Sequence, residues 1–574
     1  MKKYLLIALA AFGFAACADN IDGPNAPIHN GELEESYIAI NLMAADNDTR
    51  ATDGGLDYGT PEERAVKTAT FFFFDANGEP FNVTGAPATA PGGGKNHLRL
   101  DIKPITSNGE PVKNVSDISN AVLILNTYKG AYPSQIVAVL NWVPADKAYS
   151  LKDLHNNLTA LVGVDAADGG YVMSNSVYMD SAGKMVDAVP LTAANIKTTA
   201  TEATDNPIDI YVERIAAKVV VTANGTKEES NTHNNVFDTT KDTDFVLSSG
   251  TNVDVFVQLH GWELFNDYSD SYLLKNINTG WTDADLGFSW NNLSYFRCYW
   301  AESQTTTLDD KFAWSYQDGE NINYGVAVGK HTYCGENTLP VTRDTKGKVM
   351  TTSPNTKVIL KGQLLQSNGN GGHKPLELAS WYGNEYAGEE ALRTAVANSL
   401  AYTLYHSSNA TDFHPIGKDD IVFDTNVAGT QSYEAGFKLS DSGNDKHWYL
   451  YSSDGQHKPL GAIDNLDDMT AKTNAYLAKN VEPAIIYVNG MTYYIVDIEH
   501  LGNTGKTAEY GVVRNHVYQI DINSIKGYGS PVYNGLGFIV EQPEYPEVYE
   551  DSYVAARINV LSWKVVNQRV DIVQ

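Results

Sequence analysis

The chain is poor in cysteine and in basic residues, and it has no second long apolar run. Three cysteines occur in 574 residues, and none has the paired C-x-x-C spacing of a zinc site. Lys and Arg number 41 against 70 Asp and Glu, giving a formal net charge of −29. Because this charge repels phosphate, a nucleic-acid partner is not expected. After the first apolar block, no run reaches the ~20 residues that cross a membrane.

Catalytic motifs are also missing. The sequence has no H-E-x-x-H and no G-x-S-x-G, and the segment PGGGKN at 91–96 lacks the Ser or Thr that must follow a phosphate-loop Lys. The closest histidine pair, His406 and His414, stands in a Ser/Asn/Asp-rich segment. Carboxylates are too numerous for spacing alone to dismiss a catalytic pair, but they fall mainly among Asn and Gly. We therefore expect no enzyme, no metal and no cofactor.

The N-terminal segment has the features of an export signal. Lysines at positions 2 and 3 precede an apolar block at 4–16, and two alanines stand immediately before Cys17. A positive start, a short apolar core, small residues and a cysteine indicate a lipoprotein signal. We expect residues 1–16 to be removed and Cys17 to be lipidated. The alternative is an ordinary secretory signal with an incidental cysteine.

Composition and periodicity favour a mostly β fold. The chain has 34 Tyr, 47 Gly and 21 Pro, which suits strands joined by turns. Two helices are predicted, at 150–161, where Ser150 caps a leucine face, and at 389–400. The length predicts at least two domains, with the best boundary in the polar stretch 224–244. Segments with strand patterns lie at 37–43, 66–74, 98–102, 121–125, 135–140, 210–222, 253–259, 358–365, 485–488, 493–498, 516–522 and 557–566.

Two further features leave alternatives open. Cys298 and Cys334 stand in a chain expected to be exported, where disulfides form, so they are a candidate disulfide or two separate buried thiols. The neighbouring aromatic residues at 299–300 and 381–382 could stack on sugars. Packing within a Tyr-rich core is the commoner explanation.

Several segments, in the same order along the chain, resemble one family. They are YVMSNSVY at 171–178, YVERIAAKV at 211–219, YCGENT at 333–338, MTYYIVDIEHLG at 491–502, YGVVRNHVYQIDINSIKGYGSP at 510–531 and INVLSWKVV at 558–566. The residues WEL at 262–264 and YLLK at 272–275 also match. Together they resemble the fimbrillins of Bacteroidales type V pili, in particular the minor-fimbria type of shaft pilin.

This resemblance implies a fold and a maturation pathway. It implies two tandem transthyretin-like β-sandwich domains with a few short helices, here residues 51–223 and 224–574. The precursor would be an outer-membrane lipoprotein with a propeptide at 17–50. An arginine-specific protease would then cut after the first strand, residues 37–43. Arg50-Ala51 matches the family cleavage site in position, and Arg64-Ala65 is a rival that abuts the second strand.

The resemblance also implies assembly. A C-terminal strand, about 555–574, would fill the groove that the first strand leaves in a neighbouring subunit, and its apolar residues would be Ile558, Val560, Leu561, Trp563 and Val565. The alternative is that this tail pairs within its own domain. The predicted function is a structural shaft pilin of a surface fimbria, forming a homopolymer with anchor and tip subunits. The competing hypotheses are a tip or anchor subunit, and a non-polymerising surface lipoprotein that binds glycans or host proteins.

Overall fold

A computed structural model gives the architecture of the chain. It describes residues 33–44, 59–84, 94–101, 106–107, 110–111, 121–128, 130–162, 170–179, 185–225, 236–238, 254–278, 301–305, 316–317, 321–322, 325–350, 353–370, 372–424, 434–500, 505–531, 553–555 and 564–573. Within these residues, none of the helices has both the length and the apolar composition to cross a membrane.

The first part of the chain builds one large sheet with strand order β3-β2-β7-β9-β13-β1-β6. Its helices are Pro61–Arg64 (α1), Leu151–His155 (α2) and Ala200–Asp205 (α3). Its strands are Leu33–Ala44 (β1), Thr68–Phe74 (β2), His97–Asp101 (β3), Thr106–Ser107 (β4), Glu110–Pro111 (β5), Ala121–Tyr128 (β6), Gln135–Leu140 (β7), Leu158–Ala160 (β8), Met173–Asn175 (β9), Tyr178–Met179 (β10), Met185–Val186 (β11), Val189–Pro190 (β12) and Ile208–Arg214 (β13).

Strand β2 shows how this sheet is buried on both faces. Phe71 and Phe73 enter one apolar core, whereas Phe72 and Phe74 enter a second core on the opposite face. Successive side chains of a strand point to opposite faces, so four consecutive phenylalanines require a strand covered on both sides. Asn126 of β6 donates its N–H to the Val83 carbonyl at 2.9 Å, and Val83 lies in the first core together with Leu123 and Leu125 of β6.

The second part forms a two-sheet sandwich. One sheet has the order β21-β14-β34-β37-β36, the other β15-β16-β22-β33-β35, and a single apolar core lies between them. Its strands are Ala217–Ala223 (β14), Val236–Asp238 (β15), Val255–Phe265 (β16), Asp270–Tyr272 (β17), Tyr316–Gln317 (β18), Asn321–Ile322 (β19), Val326–Ala327 (β20), His331–Cys334 (β21), Lys357–Ser367 (β22), His373–Pro375 (β23), Met491–Asp497 (β33), His516–Ile525 (β34), Ser530–Pro531 (β35), Tyr553–Ala555 (β36) and Lys564–Val573 (β37).

A separately packed insertion interrupts this sandwich. Strands β22 and β33 pair directly and antiparallel, yet residues 378–487 lie between them and form their own core. The insertion contains strands Leu378–Trp381 (β24), Asn384–Ala387 (β25), Leu404–His406 (β26), His414–Pro415 (β27), Ile421–Asp424 (β28), Glu434–Leu439 (β29), Trp448–Tyr451 (β30), His457–Pro459 (β31) and Ala484–Tyr487 (β32), and helices Glu389–Leu400 (α4), Asp441–Asn444 (α5) and Leu466–Asn480 (α6).

The predicted mostly β, sandwich-type fold is confirmed, and α4 has the predicted limits. Two local predictions were wrong. The strand predicted at 210–222 is divided at 215–216, where the chain passes from β13 in the first sheet to β14 in the second. The helix predicted at 150–161 ends at His155, because Leu158–Ala160 pairs with Asp270–Tyr272 as strands. The domain division at 223/224 stays a prediction, although β14 pairs within the second sandwich.

His97 predicts a pH dependence of stability. It is 8 % exposed, and its ring centroid lies 5.2 Å from that of Phe72 and 6.1 Å from that of Tyr149. Burial, and then the charge of Lys95, lower the pKa of His97 to about 4. Because the pKa of His97 is lower in the folded than in the unfolded protein, protonation of His97 favours the unfolded state. The unfolding free energy is therefore highest above about pH 6.5 and decreases as the pH falls towards 4.

We expect this residue alone to remove roughly 3 kcal/mol of unfolding free energy between pH 7 and pH 4. His97→Phe keeps the ring packing and removes the titration. Denaturant unfolding at both pH values should therefore show a smaller acid loss in the variant than in the parent. Equal losses in the two chains would contradict this assignment.

Candidate functional site

Strand β1, whose removal the family resemblance implies, lies inside the first sheet, between β13 and β6, rather than at its edge. Its residues 40–44 pair in parallel with residues 208–212 of β13, and its residues 33–40 pair antiparallel with residues 121–128 of β6. We call the space between β13 and β6 that β1 fills the first slot. The two pairings follow one another along β1 and overlap at Ile40, so the first part of β1 is held by β6 and the last part by β13.

Side chains anchor β1 as well. Ile38 is fully buried in the first core, which also contains Leu123 and Leu125 of β6 and Ile210 of β13. Ser36 and Ala39 are 6 % and 3 % exposed. Helix α3 packs against both β1 and β6. Loss of β1 would therefore expose an apolar groove flanked by two rows of unpaired backbone groups, a surface that readily accepts another strand.

The C-terminal strand β37 occupies a slot of the same kind in the second sandwich. Residues 564–572 pair in parallel with residues 516–525 of β34, with an irregularity between Ile522 and Ser524. Residues 571–573 pair antiparallel with residues 553–555 of β36. We call this space between β34 and β36 the second slot. Each slot has one parallel wall and one antiparallel wall.

This arrangement bears on the alternative roles that the sequence analysis left open for the tail. The alternative in which the tail pairs within its own domain describes the structure, because β37 joins the sheet that contains β34. The polar residues Asn567, Gln568 and Arg569 do not interrupt the strand, since all three pair with β34. A slot strand needs a continuous backbone ladder, which polar side chains do not prevent.

Most residues predicted as sites lie outside the described residues. This holds for Cys17, Arg50, Ala51, Cys298, Ile558, Val560, Leu561 and Trp563. Val565 lies in β37 and pairs with Val517. Arg64, the rival processing residue, is the last residue of α1. The roles of these residues stay predictions.

Cys334 is a buried free thiol in the core of the second sandwich. Burial raises the pKa of the Cys334 thiol, as expected for a thiolate removed from water. Its pairing with Cys298 stays a prediction.

Two other candidates from the sequence are only partly buried, since Tyr382 is 63 % exposed and the side chain of His414 is 59 % exposed. Trp381 is 7 % exposed in the insertion core, and its indole N–H donates to the Glu482 carbonyl at 2.9 Å. The rings of His406 and His414 lie 5.6 Å apart. In the part of the chain that the structure describes, no three His, Cys, Asp or Glu residues group in a way that could hold a metal ion.

The sequence did not reveal the walls of the slots. Strands β6 and β13 read as ordinary buried strands, because alternation reports burial and not the partner of a strand. The nearest signal was the resemblance at 211–219, which overlaps the end of β13.

The C-terminal region matches the model of a known protein family. Residues 485–569 match the model described as fimbrillin, C-terminal, major fimbrial subunit protein type IV. This region is similar to the C-terminal region of fimbrillins. The match confirms the family that the sequence resembles. The matched fimbrillin region begins within β32 and ends within β37, so it contains both walls of the second slot.

Comparison with whole proteins adds only loose similarities. No curated protein matches the chain. A fimbrilin from Porphyromonas gingivalis aligns over 93% of this chain and 97% of its own, at 12% identity and a TM-score of 0.34. A fimbrial assembly protein from Parabacteroides distasonis aligns over 73% and 100%, at 11% identity and 0.25. The tip fimbrial protein Mfa3 from Porphyromonas gingivalis aligns over 60% and 81%, at 13% identity and 0.26. The assignment rests on the family match and not on these scores.

The burial of Ile38 gives a direct test of how firmly β1 is held. Ile38→Ala removes fully buried methyl and methylene groups from the first core, and we expect it to lower the unfolding free energy by about 2–5 kcal/mol. Val162→Ala, at a side chain that is 41% exposed, is the control and should change it by no more than about 0.5 kcal/mol. Chemical denaturation of the full chain measures both. A cost for Ile38→Ala as small as that of the control would show that β1 is not packed into the core.

Proposed function

We propose that this chain is a structural fimbrial subunit that polymerises by exchanging strands between its two kinds of slot. The observation that carries the proposal is the shared geometry of β1 and β37, each with a parallel wall on one side and an antiparallel wall on the other. A strand that fits one slot has the backbone directions needed for the other. The fimbrillin match of residues 485–569 supports the same function.

Proteolysis between β1 and α1 allows β1 to leave the first slot. Arg50-Ala51 stands in the connection between β1 and α1, so cutting there leaves β1 held only by noncovalent contacts. After its departure, β37 of a second copy enters the first slot, parallel to β13 and antiparallel to β6. Main-chain hydrogen bonds then give affinity, and alternate side chains fill the groove.

The tail has enough apolar surface for a lasting joint. Besides Val565, the segment contains Ile558, Val560, Leu561 and Trp563. Burying five such side chains is worth on the order of 10 kcal/mol before the costs of association. Because a slot at one place and a tail at another join head to tail, the contacts propagate into an open filament rather than a closed ring.

The remaining parts of the proposal concern location and partners. The chain has both a cleavable connection and a tail strand, which favours a shaft subunit of the minor-fimbria type over a tip or an anchor. Lipidation at Cys17 would hold the precursor at the outer membrane until an arginine-specific protease releases it. The mature subunits form a homopolymer at the cell surface, with anchor and tip subunits at its ends, and support adhesion.

Locking β1 in place tests whether it must leave. Ala39 and Val122 face each other across β1 and β6, so Ala39→Cys with Val122→Cys can form a cross-strand disulfide. Under oxidising conditions the double variant should be cut at Arg50 yet form no fibres, and reduction should restore them. Electron microscopy and gel ladders give the readout.

The matched control is Thr68→Cys with Asp101→Cys, which faces across β2 and β3. These strands remain together in the proposed pathway, so this variant should polymerise in either redox state. Fibres from the oxidised Ala39/Val122 variant would refute strand departure. They would then favour assembly by another mechanism, in which β1 stays in the first slot.

Truncation tests the donor role of the tail. A chain ending before Tyr553 lacks both β36 and β37, and we expect it to be processed but to remain monomeric, because it has no strand to donate. The truncation also empties the second slot, where β36 and β37 pair in the full chain. A synthetic peptide of residues 553–574 should therefore bind the uncut truncated chain in a 1:1 ratio and the processed chain, whose first slot is empty as well, in a 2:1 ratio. Size-exclusion chromatography with calorimetry measures both effects, and a scrambled peptide is the control. Ladder formation by the truncated chain would exclude β37 as the donor.

A further inference from the structure

The segment that follows the processing region is held in an unusual way. Thr60 caps α1, and the cap is reciprocal: Glu63 donates its N–H to the Thr60 hydroxyl at 3.3 Å, and Thr60 donates its N–H to Glu63 Oε2 at 2.8 Å. This capping box satisfies two backbone donors of a single helical turn. It also orients the Glu63 carboxylate away from solvent, where it is 1 % exposed.

The other oxygen of this carboxylate, Oε1, is bound by residues of the second sandwich. Lys218 of β14 donates from Nζ to Glu63 Oε1 at 2.7 Å, and the hydroxyl of Tyr333 in β21 donates to the same oxygen. Burial alone would raise the pKa of the Glu63 carboxyl, but the hydrogen bonds from Lys218 and Tyr333 lower it overall. The group is therefore ionised at neutral pH. We call Glu63, Lys218 and Tyr333 the lock.

The backbone on either side of Arg64 is fixed as well. Arg214 of β13 donates from Nε to the Glu63 carbonyl at 2.7 Å. Asn141 donates from Nδ2 to the Ala65 carbonyl at 2.8 Å and accepts the Lys67 N–H at 2.7 Å. A Cβ added to Gly170 would lie 2.4 Å from that Nδ2 atom, so Asn141 is itself held tightly. Backbone groups of Glu63, Ala65 and Lys67 are thus each hydrogen-bonded to a side chain distant in sequence.

We infer that the lock determines where proteolytic maturation stops, by making the Arg64–Ala65 bond resistant to an arginine-specific protease. Such a protease needs several residues around the bond in an extended form. A capped helical turn that is hydrogen-bonded to both the first sheet and the second sandwich does not offer this form. Cleavage then requires local opening, and its rate follows the population of the open form. The inference rests on the proposed function only in its choice of protease.

The lock explains how two arginines of the same chemistry can have different fates. Arg50 stands before α1, whereas Arg64 ends it. On this basis Glu63 and Lys218 are specificity-determining residues for processing, because they select the cleavage position through the fold rather than through the sequence around the bond. They also keep the new N-terminal segment attached to the second sandwich after β1 has left.

Limited proteolysis of the purified full chain tests this inference. An arginine-specific endoprotease is added, and products are identified by N-terminal sequencing and mass. In the parent chain, Ala65 should not appear as an N-terminus while the chain is otherwise native. Glu63→Gln, which keeps an acceptor for the cap but removes the charge, and Lys218→Met should each accelerate cleavage after Arg64 at least about tenfold, because removing one partner of a buried pair leaves the other uncompensated.

The matched control is Lys361→Met. Lys361 is a similarly buried lysine, 1 % exposed along its side chain, and it pairs with Glu263 at 2.9 Å within the second sandwich. This variant should leave the Arg64–Ala65 bond as resistant as in the parent. Hydrogen exchange of residues 60–67 gives a second readout in intact protein, with faster exchange expected in Glu63→Gln and unchanged exchange in Lys361→Met.

Two outcomes would overturn the inference. One is parent protein cut after Arg64 as rapidly as the lock variants. The other is Glu63→Gln and Lys218→Met with parental resistance and parental exchange. If either variant does not fold, Tyr333→Phe removes a single donor from the lock and should still give a measurable acceleration. The appearance of Ala51 as a new N-terminus is recorded separately. Its absence would contradict the proposed cleavage at Arg50, but not the effect of the lock on Arg64.

Discussion

Backbone hydrogen bonding on both sides of β1 is the constraint on which the rest of this fold depends. Among the described strands, β13 and β6 are joined through β1, so loss of β1 would open the first core at that position. Buried backbone groups left without partners are costly, so an empty slot is a high-energy surface. In the proposed pathway, a strand that replaces β1 would satisfy these groups if it runs parallel to β13 and antiparallel to β6.

Strand β13 links this slot to the joint between the sandwiches. Its residues 208–212 form the parallel wall, and the next residue, Glu213, pairs with the fully buried Lys275 at 2.9 Å. Burial raises the pKa of Glu213, while the charges of Lys275 and Arg514 oppose that change. Arg514 in turn pairs with Glu336 at 3.0 Å. Buried ion pairs of this kind add little net stability but penalise separation of the partners strongly. The wall of the slot and the orientation of the second sandwich are thus held by one contiguous network.

Local sequence predicted the elements far better than their partners. The run at 135–140 and the helix at 389–400 have their predicted limits, because short-range alternation and amphipathic spacing report burial directly. The strand predicted at 210–222 failed at Ile215–Ala216, since both of these residues are fully buried and nothing in an apolar run marks a change of sheet. The helix expected to reach residue 161 failed because Leu158 fits a helical face and a strand equally well, and pairing with Tyr272 decided the outcome. The insertion at 378–487 was not predicted from the sequence. Its core is separate from that of the sandwich, and the strands that flank it, β22 and β33, pair with each other although they are far apart in the chain.

The sequence by itself determined the mostly β class, the family resemblance and the two candidate terminal strands, because each depends on residue types at short spacing. The tertiary structure decided which strands form the slots, that both slots share one geometry, and that Glu63 meets Lys218 across 155 positions of chain. These contacts join residues far apart in sequence, and their register is set by the burial of whole sheets. No local pattern carries that information, since the partner of a strand is chosen by the fold as a whole.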